Sequence, residues 1–284
     1  MEAVERWRAR GERVDIQGHG VFVVDEGPRE APVLLLLHGY PSSSADWEHA
    51  LPHLTASYRV ICHDHLGFGL SDKPDDYSYS LFEQADIAVG LWTALGVTGG
   101  HVVAHDYGTS VATELAARAN RGLLPIHLKG LTLSNGSMLL DLARPRLIQQ
   151  LLRRRRLGPV VARLASRWML ARNVQAIVRV PLADEELDRM WTLLERDGGR
   201  ARVPQITRYL DEREQFRGRW LGALESFDGP LHLLWGRHDP VARPAVAEGI
   251  LATRPDARLT WLELGHWPML EDPRQWAEGL VAGL

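Results

Sequence analysis

Three residues with reactive side chains each lie at the end of an apolar, strand-like segment, and together they could perform nucleophilic catalysis. Asp106 ends "GHVVAHD", Asp239 stands in "LWGRHDPVARP", and His266 stands in "LELGHWPMLEDP". A nucleophile, a histidine that activates water and an acid that orients this histidine form a recurring catalytic set. Because open parallel sheets bind ligands at the carboxyl ends of their strands, these positions predict one shared site.

Small residues on both sides of Asp106 predict a sharp turn between a strand and a helix. Ala104 and Gly108 lie two positions before and two positions after it in "AHDYG". A backbone that folds back on itself needs small residues there, and such a turn exposes the middle side chain. The alternative is an ordinary aspartate at a helix N-cap, which this segment alone also permits.

Strand-like and helical segments alternate along the chain, which predicts an α/β sheet with helices on both faces. A first hairpin is predicted from "ERVDIQ" and "VFVVDE". Short apolar runs predict buried parallel strands, namely "PVLLLLH", "YRVICHD", "GHVVAHD", "LKGLTLSNG", "PLHLLWG" and "ARLTWLEL". Helical spacing occurs in "SADWEHALPHLTAS", "SLFEQADIAVGLWTALG" and "TSVATELAARAN".

The sequence from Met138 to about Phe227 is helix-like and Arg-rich, with no strand signal. It predicts an all-helical insertion within the sheet domain. The "RRRR" at 153 to 156 belongs to this insertion, and we interpret it as a solvated helix face.

The chain resembles the α/β-hydrolase superfamily, specifically its branch of epoxide hydrolases and haloalkane dehalogenases. The motifs that carry this resemblance are "HGYP", "HDYG", "GRHDP" and "GHWP". It is more closely similar to the mesoderm-specific transcript type of epoxide-hydrolase-like proteins, through "LGFGLSDKP", "FEQADI", "HDYGTSVATEL", "LTLSNG", "FRGRWLGAL" and "LEDP". The resemblance implies an α/β-hydrolase fold, with a mostly parallel central sheet flanked by helices and an inserted all-helical cap domain. The expected boundaries are 1–136 and 229–284 for the two parts of the core and 137–228 for the cap.

The resemblance also implies a role for each site residue. The order Asp106, Asp239, His266 along the chain matches the family's order of nucleophile, acid and base. The backbone N–H groups of Tyr40, in "HGYP", and of Tyr107, next to the nucleophile, would form the oxyanion hole. His38 and His105 are expected to brace the structure rather than to take part in the chemistry.

An aspartate nucleophile predicts the kind of bond that is attacked. A serine that attacked a saturated carbon would form an ether, which the same site could not hydrolyse. An aspartate forms an ester, which water activated by His266 can cleave. With a reference pKa of about 3.9, the carboxylate is also ionised at pH 7. We therefore expect an epoxide or an alkyl halide as substrate.

Epoxides and halides place different demands on the rest of the site. The oxygen of an epoxide needs a proton as the ring opens, and by resemblance the donor would be a tyrosine of the cap, here Tyr209. Its place before "FRG" differs by about two residues from the family's position, and the alternative is a tyrosine that only packs under the cap. A halide needs N–H donors, which related dehalogenases supply from Trp or Asn side chains. Trp168, Trp191 and Trp220 could line the pocket or donate to a halide, although packing is the commoner use of tryptophan.

Epoxide hydrolysis to a vicinal diol is the leading expectation. The alternatives are a haloalkane dehalogenase and a non-catalytic binding protein that kept the fold. Water and a small hydrophobic substrate are the expected partners, whereas a metal and other cofactors are not expected. The formal charge of −3 gives no basic excess for nucleic acid, and no apolar run approaches the roughly 20 residues that span a bilayer. We expect a cytoplasmic protein without a membrane partner, in an oligomeric state that the sequence leaves open.

Overall fold

The computed structural model describes residues 2–284, and one eight-stranded sheet forms its centre. The strands are β1 (Glu12–Ile16), β2 (His19–Glu26), β3 (Val33–Leu37), β4 (Arg59–His63), β5 (Gly99–His105), β6 (His127–Ser134), β7 (Leu231–Gly236) and β8 (Arg258–Leu262). Their order across the sheet is β1, β2, β4, β3, β5, β6, β7, β8. β2 pairs antiparallel with β1 and β4, whereas all other neighbours are parallel. The predicted hairpin and mostly parallel sheet are confirmed.

The central strands are apolar along their whole length because both of their faces are covered. In β3, Leu34 and Leu36 belong to one buried cluster, whereas Leu35 and Leu37 belong to the other. Successive side chains of a strand point to opposite faces, so a strand between two helical layers needs no polar alternation.

Thirteen α-helices are present in residues 2–284, and most of them flank this sheet or form the insertion. They are α1 (Glu2–Arg8), α2 (Leu81–Ala94), α3 (Tyr107–Ala119), α4 (Leu147–Leu152), α5 (Gly158–Leu164), α6 (Arg167–Gln175), α7 (Asp184–Glu195), α8 (Gly199–Ile206), α9 (Tyr209–Gln215), α10 (Arg217–Glu225), α11 (Pro244–Thr253), α12 (Pro268–Glu271) and α13 (Pro273–Gly283). Short 3₁₀ helices cover Ser44–Trp47, Leu51–His53 and Arg196–Gly198.

Two local predictions from the sequence are wrong. The segment 44–57, predicted as one helix, forms two short 3₁₀ helices instead. Pro52 stands in the second of them, and proline has no N–H for a continuing helical ladder. The "RRRR" at 153 to 156 is not a helix face, because these residues form the turn between α4 and α5.

The helices α4 to α10 all lie between β6 and β7, so the insertion is all-helical as expected. Arg189 of α7 is buried and joins the insertion to the core. Its guanidinium donates to the carboxylate of Glu48 and, at 3.0 Å, to the carbonyl oxygen of Ala45. The exact boundaries 1–136, 137–228 and 229–284 stay a prediction.

Candidate active site

Asp106 occupies the tight turn between β5 and α3. Its φ of 44° and ψ of −104° form a combination that residues with a side chain rarely adopt. A Cβ on Gly108 would lie 2.4 Å from the carbonyl oxygen of Leu37, and a Cβ on Gly39 would lie 2.9 Å from the Cβ of Asp106. Both contacts are closer than real Cβ atoms allow, so glycine is required at these two positions. The turn therefore has the geometry expected of a nucleophile elbow.

His266 and Asp239 meet Asp106 at this edge of the sheet, as their positions after strands predict. The Nδ1 of His266 lies 2.7 Å from Oδ2 of Asp239. On the other side of the ring, Nε2 lies 4.0 Å from Oδ1 of Asp106. All three side chains are buried. The imidazole thus stands between two carboxylates, with one nitrogen directed toward each.

The carboxylate of Asp239 is held by three further donors. The N–H groups of Val241 and Ala242 donate to its Oδ1 at 2.7 and 3.0 Å. The side-chain amide of Asn135 donates to Oδ2 at 2.8 Å, which is the oxygen that faces His266. Asn135 directly follows β6. The sequence shows an amide there, but its contact with Asp239 requires two distant segments to meet.

One of the two predicted oxyanion donors already contacts Asp106. The backbone N–H of Tyr40 donates to Oδ2 of Asp106 at 3.4 Å. The second predicted donor, the N–H of Tyr107, belongs to the first residue of α3, where helix N–H groups have no partner within the helix. His38 braces the Tyr40 loop, since its Nδ1 lies 2.8 Å from the carbonyl oxygen of Gly39 and its Nε2 accepts from the N–H of His65 at 3.0 Å.

Two further residues fix the loop that carries His266. The Nε2 of His105 lies 2.7 Å from the carbonyl oxygen of His266, so the His105 side chain holds the backbone of His266 in place. The carboxylate of Glu271 accepts from the N–H groups of Gly265 and Trp267, and also from two N–H groups of the insertion, those of Arg179 and Val180. Glu271 therefore joins the His266 loop to the insertion, a role that "LEDP" alone does not reveal.

The charges of the site favour an imidazolium between carboxylates. Burial lowers the pKa of His266, but Asp239 and Asp106 outweigh it, and the net shift of this pKa is upward. Burial raises the pKa of Asp106, and although His266 and Arg213 act in the opposite direction, the net shift of this pKa is upward. Each ionised group of the pair thus stabilises the charge of the other.

Arg213 is a buried arginine next to Asp106, and its position was not predicted from the sequence. Its Nη2 donates to the backbone oxygen of Asp106 at 2.9 Å, and its Nε donates to the hydroxyl of Ser110 at 2.6 Å. Its guanidinium carbon also lies 4.5 Å from the ring centroid of Tyr209. The residue belongs to α9, so it links the insertion directly to the elbow. One arginine of an Arg-rich insertion gives no sequence signal that separates it from the others.

Tyr209 lies beside the same elbow and is buried. Its ring centroid is 5.2 Å from that of Tyr107 and 5.9 Å from that of Tyr40. The Tyr209 hydroxyl accepts from the side-chain amide of Gln149 at 3.0 Å. Burial raises its pKa well above the ordinary value, and Asp106 adds to this shift. The hydroxyl therefore keeps its proton, but Tyr209 is not among the residues that line the cavity above His266.

An apolar cavity of about 110 Å³ opens above His266. The insertion supplies most of its walls, among them Leu152, Val161, Met169 and Leu170, and the core supplies Tyr40, Pro41, Val241 and Trp267. The three tryptophans predicted for the pocket differ in their position relative to the cavity. Trp191 lines the cavity. Trp168 is 64% exposed and outside the cavity lining, and Trp220 donates to the carboxylate of Glu114 at 2.9 Å. Trp168 is therefore placed away from the substrate-binding position expected of it.

No group of three or more His, Cys, Asp or Glu side chains among residues 2–284 is arranged to hold a metal ion. In the same part of the chain, no helix is both long and apolar enough to cross a membrane.

Comparisons with known proteins agree with this architecture. The family described as alpha/beta hydrolase fold matches residues 32–273. The chain is 45% identical over 285 residues to LipZ of Mycobacterium tuberculosis, which is named as a hydrolase, covering 99% of this chain and 97% of LipZ. It is 37% identical to the mesoderm-specific transcript homolog protein of Bos taurus, covering 95% of this chain and 84% of that protein.

Among solved structures, a loop variant of the haloalkane dehalogenase DbeA from Bradyrhizobium elkanii superposes with a TM-score of 0.78. The alignment covers 96% of this chain and 95% of the dehalogenase, at 22% sequence identity. At that identity the likeness concerns the fold.

Proposed function

This chain belongs to the α/β-hydrolase fold family, and from that premise we propose that it hydrolyses epoxides to vicinal diols through an ester on Asp106. The observation that carries the proposal is an aspartate, rather than a serine, at the strained turn beside His266 and Asp239. A carboxylate at this place can open a bond at saturated carbon and leave an intermediate that water can cleave.

In the first step, a carboxylate oxygen of Asp106 attacks a ring carbon of the epoxide. The bond between that carbon and the epoxide oxygen breaks, and the oxygen takes the proton of the Tyr209 hydroxyl. The high pKa of Tyr209, which burial causes, keeps this proton in place until the alkoxide forms. A positioned proton donor of this kind typically accelerates such a step about 10²-fold to 10⁴-fold.

In the second step, His266 removes a proton from water, which attacks the Cγ of Asp106. Charge then develops on the carboxyl oxygen that faces the N–H groups of Tyr40 and Tyr107. Each such donor is typically worth roughly 3 kcal/mol in the transition state. The intermediate collapses to the diol and a free carboxylate, and the proton held by His266 returns to the Tyr209 oxygen.

The ester itself prepares His266 for this second step. In the free protein the charge of Asp106 contributes to the raised pKa of His266. Once Asp106 is esterified that charge is gone, so the pKa of His266 falls and the neutral imidazole becomes more populated. His266 thus becomes available as a neutral base at the step in which it must take a proton from water.

The substrate that fits is apolar and of modest size, since the cavity is small and its walls are mostly aliphatic. The second candidate is an alkyl halide, because the indole of Trp191 lines the cavity and an indole N–H can donate to a leaving halide. A second indole in the lining, that of Trp267, already donates to Asp46 at 3.1 Å. This leaves the indole of Trp191 as the one tryptophan N–H of the lining for a halide, which favours the epoxide.

The experiment exposes a His266→Gln variant to panels of epoxides and haloalkanes and records its intact mass. This variant should form the ester on Asp106 but hydrolyse it slowly. An epoxide adds its whole mass, whereas a haloalkane adds its mass less hydrogen halide. We expect an epoxide-type adduct that peptide mapping places on Asp106.

The matched control is the double variant Asp106→Asn with His266→Gln, which should form no adduct. A halide-type adduct would assign the protein to the dehalogenases. No adduct in a folded variant across both panels would favour a non-catalytic binding protein.

A further inference from the structure

The insertion carries a concentration of positive charge that the net charge of the chain conceals. Residues 142–183 contain ten arginines and neither aspartate nor glutamate. Because the whole chain has a formal charge of −3, the remaining residues carry −13. The molecule is therefore strongly polarised, with its positive part on the helices α4 to α6 and the segments that join and follow them.

Several of these arginines have no acidic neighbour. Arg154, Arg155, Arg156 and Arg163 are exposed, and none of them forms an ion pair within residues 2–284. Arg154, Arg155 and Arg156 follow one another in the turn between α4 and α5. Because all three are exposed, they form a compact cluster of charge at the surface. Like charges at such close spacing repel one another, so this cluster destabilises the isolated protein unless an anionic surface covers it.

Large apolar side chains are exposed on the same segment. Leu147 is 70% exposed, Leu157 45%, Val160 55%, Leu164 70% and Trp168 64%. Six of the nine large apolar residues that are exposed in residues 2–284 belong to this segment, since Val180 adds to these five. The spacing of three and four residues puts Leu157, which directly precedes α5, on the same side as Val160 and Leu164. We use the name arginine–leucine surface for Leu147, Leu157, Val160, Leu164 and Trp168 together with Arg154, Arg155, Arg156 and Arg163.

The helices behind this surface form the wall of the substrate cavity. Val161 and Ala162 of α5 line the cavity, as do Met169 and Leu170 of α6. Their neighbours Val160, Leu164 and Trp168 face solvent. A single layer of helix thus separates the apolar outside from the apolar cavity.

We propose that the arginine–leucine surface binds an anionic lipid membrane, with α5 lying in the interface. Helices that combine Arg with Leu and Trp bury their apolar side at the boundary of headgroups and acyl chains. The arginines would then contact lipid phosphates, for which guanidinium is well suited. Resting on the function proposed above, this arrangement implies a membrane-dissolved apolar substrate that enters the cavity through the α5 wall.

The charge pattern argues against two other occupants. A second copy of the chain that paired through the same surface, as in a symmetric dimer, would bring two clusters of like charge together. A nucleic acid would satisfy the arginines but would leave the exposed leucines in water. The expectation of no membrane partner concerned segments that span a bilayer, whereas binding at the surface requires neither length nor continuous hydrophobicity.

The test measures co-sedimentation of the full chain with vesicles of phosphatidylcholine alone or with 30% phosphatidylserine. We expect binding to the anionic vesicles that weakens in 0.5 M salt. The triple variant Arg154→Gln, Arg155→Gln, Arg156→Gln should bind about 100-fold more weakly, because each arginine near such a surface contributes about fivefold. The variant Leu164→Ser, Trp168→Ser should lose at least tenfold.

The matched control removes the same charge elsewhere, in the exposed residues Arg121→Gln, Arg258→Gln and Arg274→Gln, and should keep its binding within a factor of two to three. Equal losses in the control and the test variant would overturn the proposal, as would binding to neither vesicle. Binding of a DNA duplex that depends on the three arginines, without vesicle binding, would replace the membrane with a nucleic acid. No substrate is used, so the result is independent of the proposed reaction.

Discussion

The two carboxylate oxygens of Asp106 have different neighbours, and this difference assigns them different tasks. Oδ2 accepts from the Tyr40 N–H, whereas Oδ1 faces Nε2 of His266. In the proposed reaction, Oδ1 attacks the substrate and Oδ2 receives the charge of the second step. His266 lies on the side of Oδ1, from which water must approach once the ester has formed.

Tyr209→Phe tests the proposed source of the ring-opening proton. We expect the rate of ester formation with an epoxide to fall about 10²-fold to 10⁴-fold, because the alkoxide loses its proton donor. Hydrolysis of the ester once formed should change little, since His266 performs that step. Rapid-quench mass spectrometry of a single turnover separates the two rates.

The matched control is Tyr77→Phe, whose ring packs against His19 and Tyr79, and it should leave both rates unchanged. Undiminished ester formation in Tyr209→Phe would show that the proton comes from another group.

The contact between α3 and α10 depends on one buried carboxylate. Glu114 of α3 is 1% exposed and accepts from the indole of Trp220 and the guanidinium groups of Arg118 and Arg219. Burial raises the pKa of Glu114, but these donors outweigh it and the net shift of the pKa is downward. The carboxylate therefore holds a helix of the insertion against the helix that begins at the nucleophile.

Glu114→Gln should lower the free energy of unfolding by about 3 kcal/mol, because two half-buried arginines lose their buried counter-charge. Urea denaturation at pH 7 measures this change. The control Glu225→Gln removes an exposed carboxylate of α10 and should change stability by less than about 0.5 kcal/mol. Equal stability of both variants would refute the anchoring role of Glu114.

The elements of the core could be predicted from the sequence because their signals are local. β3 to β8 are short apolar runs, which predict buried strands. The small residues on both sides of Asp106 predict its turn. The contacts of Asn135, Glu271 and Arg213 could not be predicted, because each joins segments that are far apart in the chain. The single helix predicted for 44–57 failed for a local reason, since the pattern of apolar residues was weighed above the proline.

At the scale of the whole molecule, buried neutral histidines make stability depend on pH. Burial lowers the pKa of His63 to about 3 and those of His101 and His232 to about 4. Burial lowers the pKa of His38, His65 and His105 as well. In the unfolded chain each of these residues binds a proton near pH 6.5, so acid favours unfolding.

We therefore expect the free energy of unfolding to fall as the pH decreases from 6.5 to 5. Each such histidine contributes up to about 1.4 kcal/mol per pH unit. Five groups have raised pKa values and act in the opposite direction, namely His266, His49, Asp46, Asp106 and Glu212, but the six histidines outnumber them. Urea denaturation at several pH values measures the slope, and His63→Leu should reduce it by the share of one histidine. A stability that stays constant or rises over this range would contradict the burial of these residues in neutral form.

A single turnover in H₂¹⁸O shows whether an ester forms on Asp106. The wild-type protein, in excess over an epoxide that forms the adduct, converts the epoxide once, and the masses of the diol and of the peptides are measured. Because water attacks Cγ of Asp106 in the proposed reaction, we expect an unlabelled diol and one ¹⁸O in the peptide that contains Asp106. Label in the diol of the first turnover, with none in Asp106, would mean that water attacks the substrate directly and would rule out the ester.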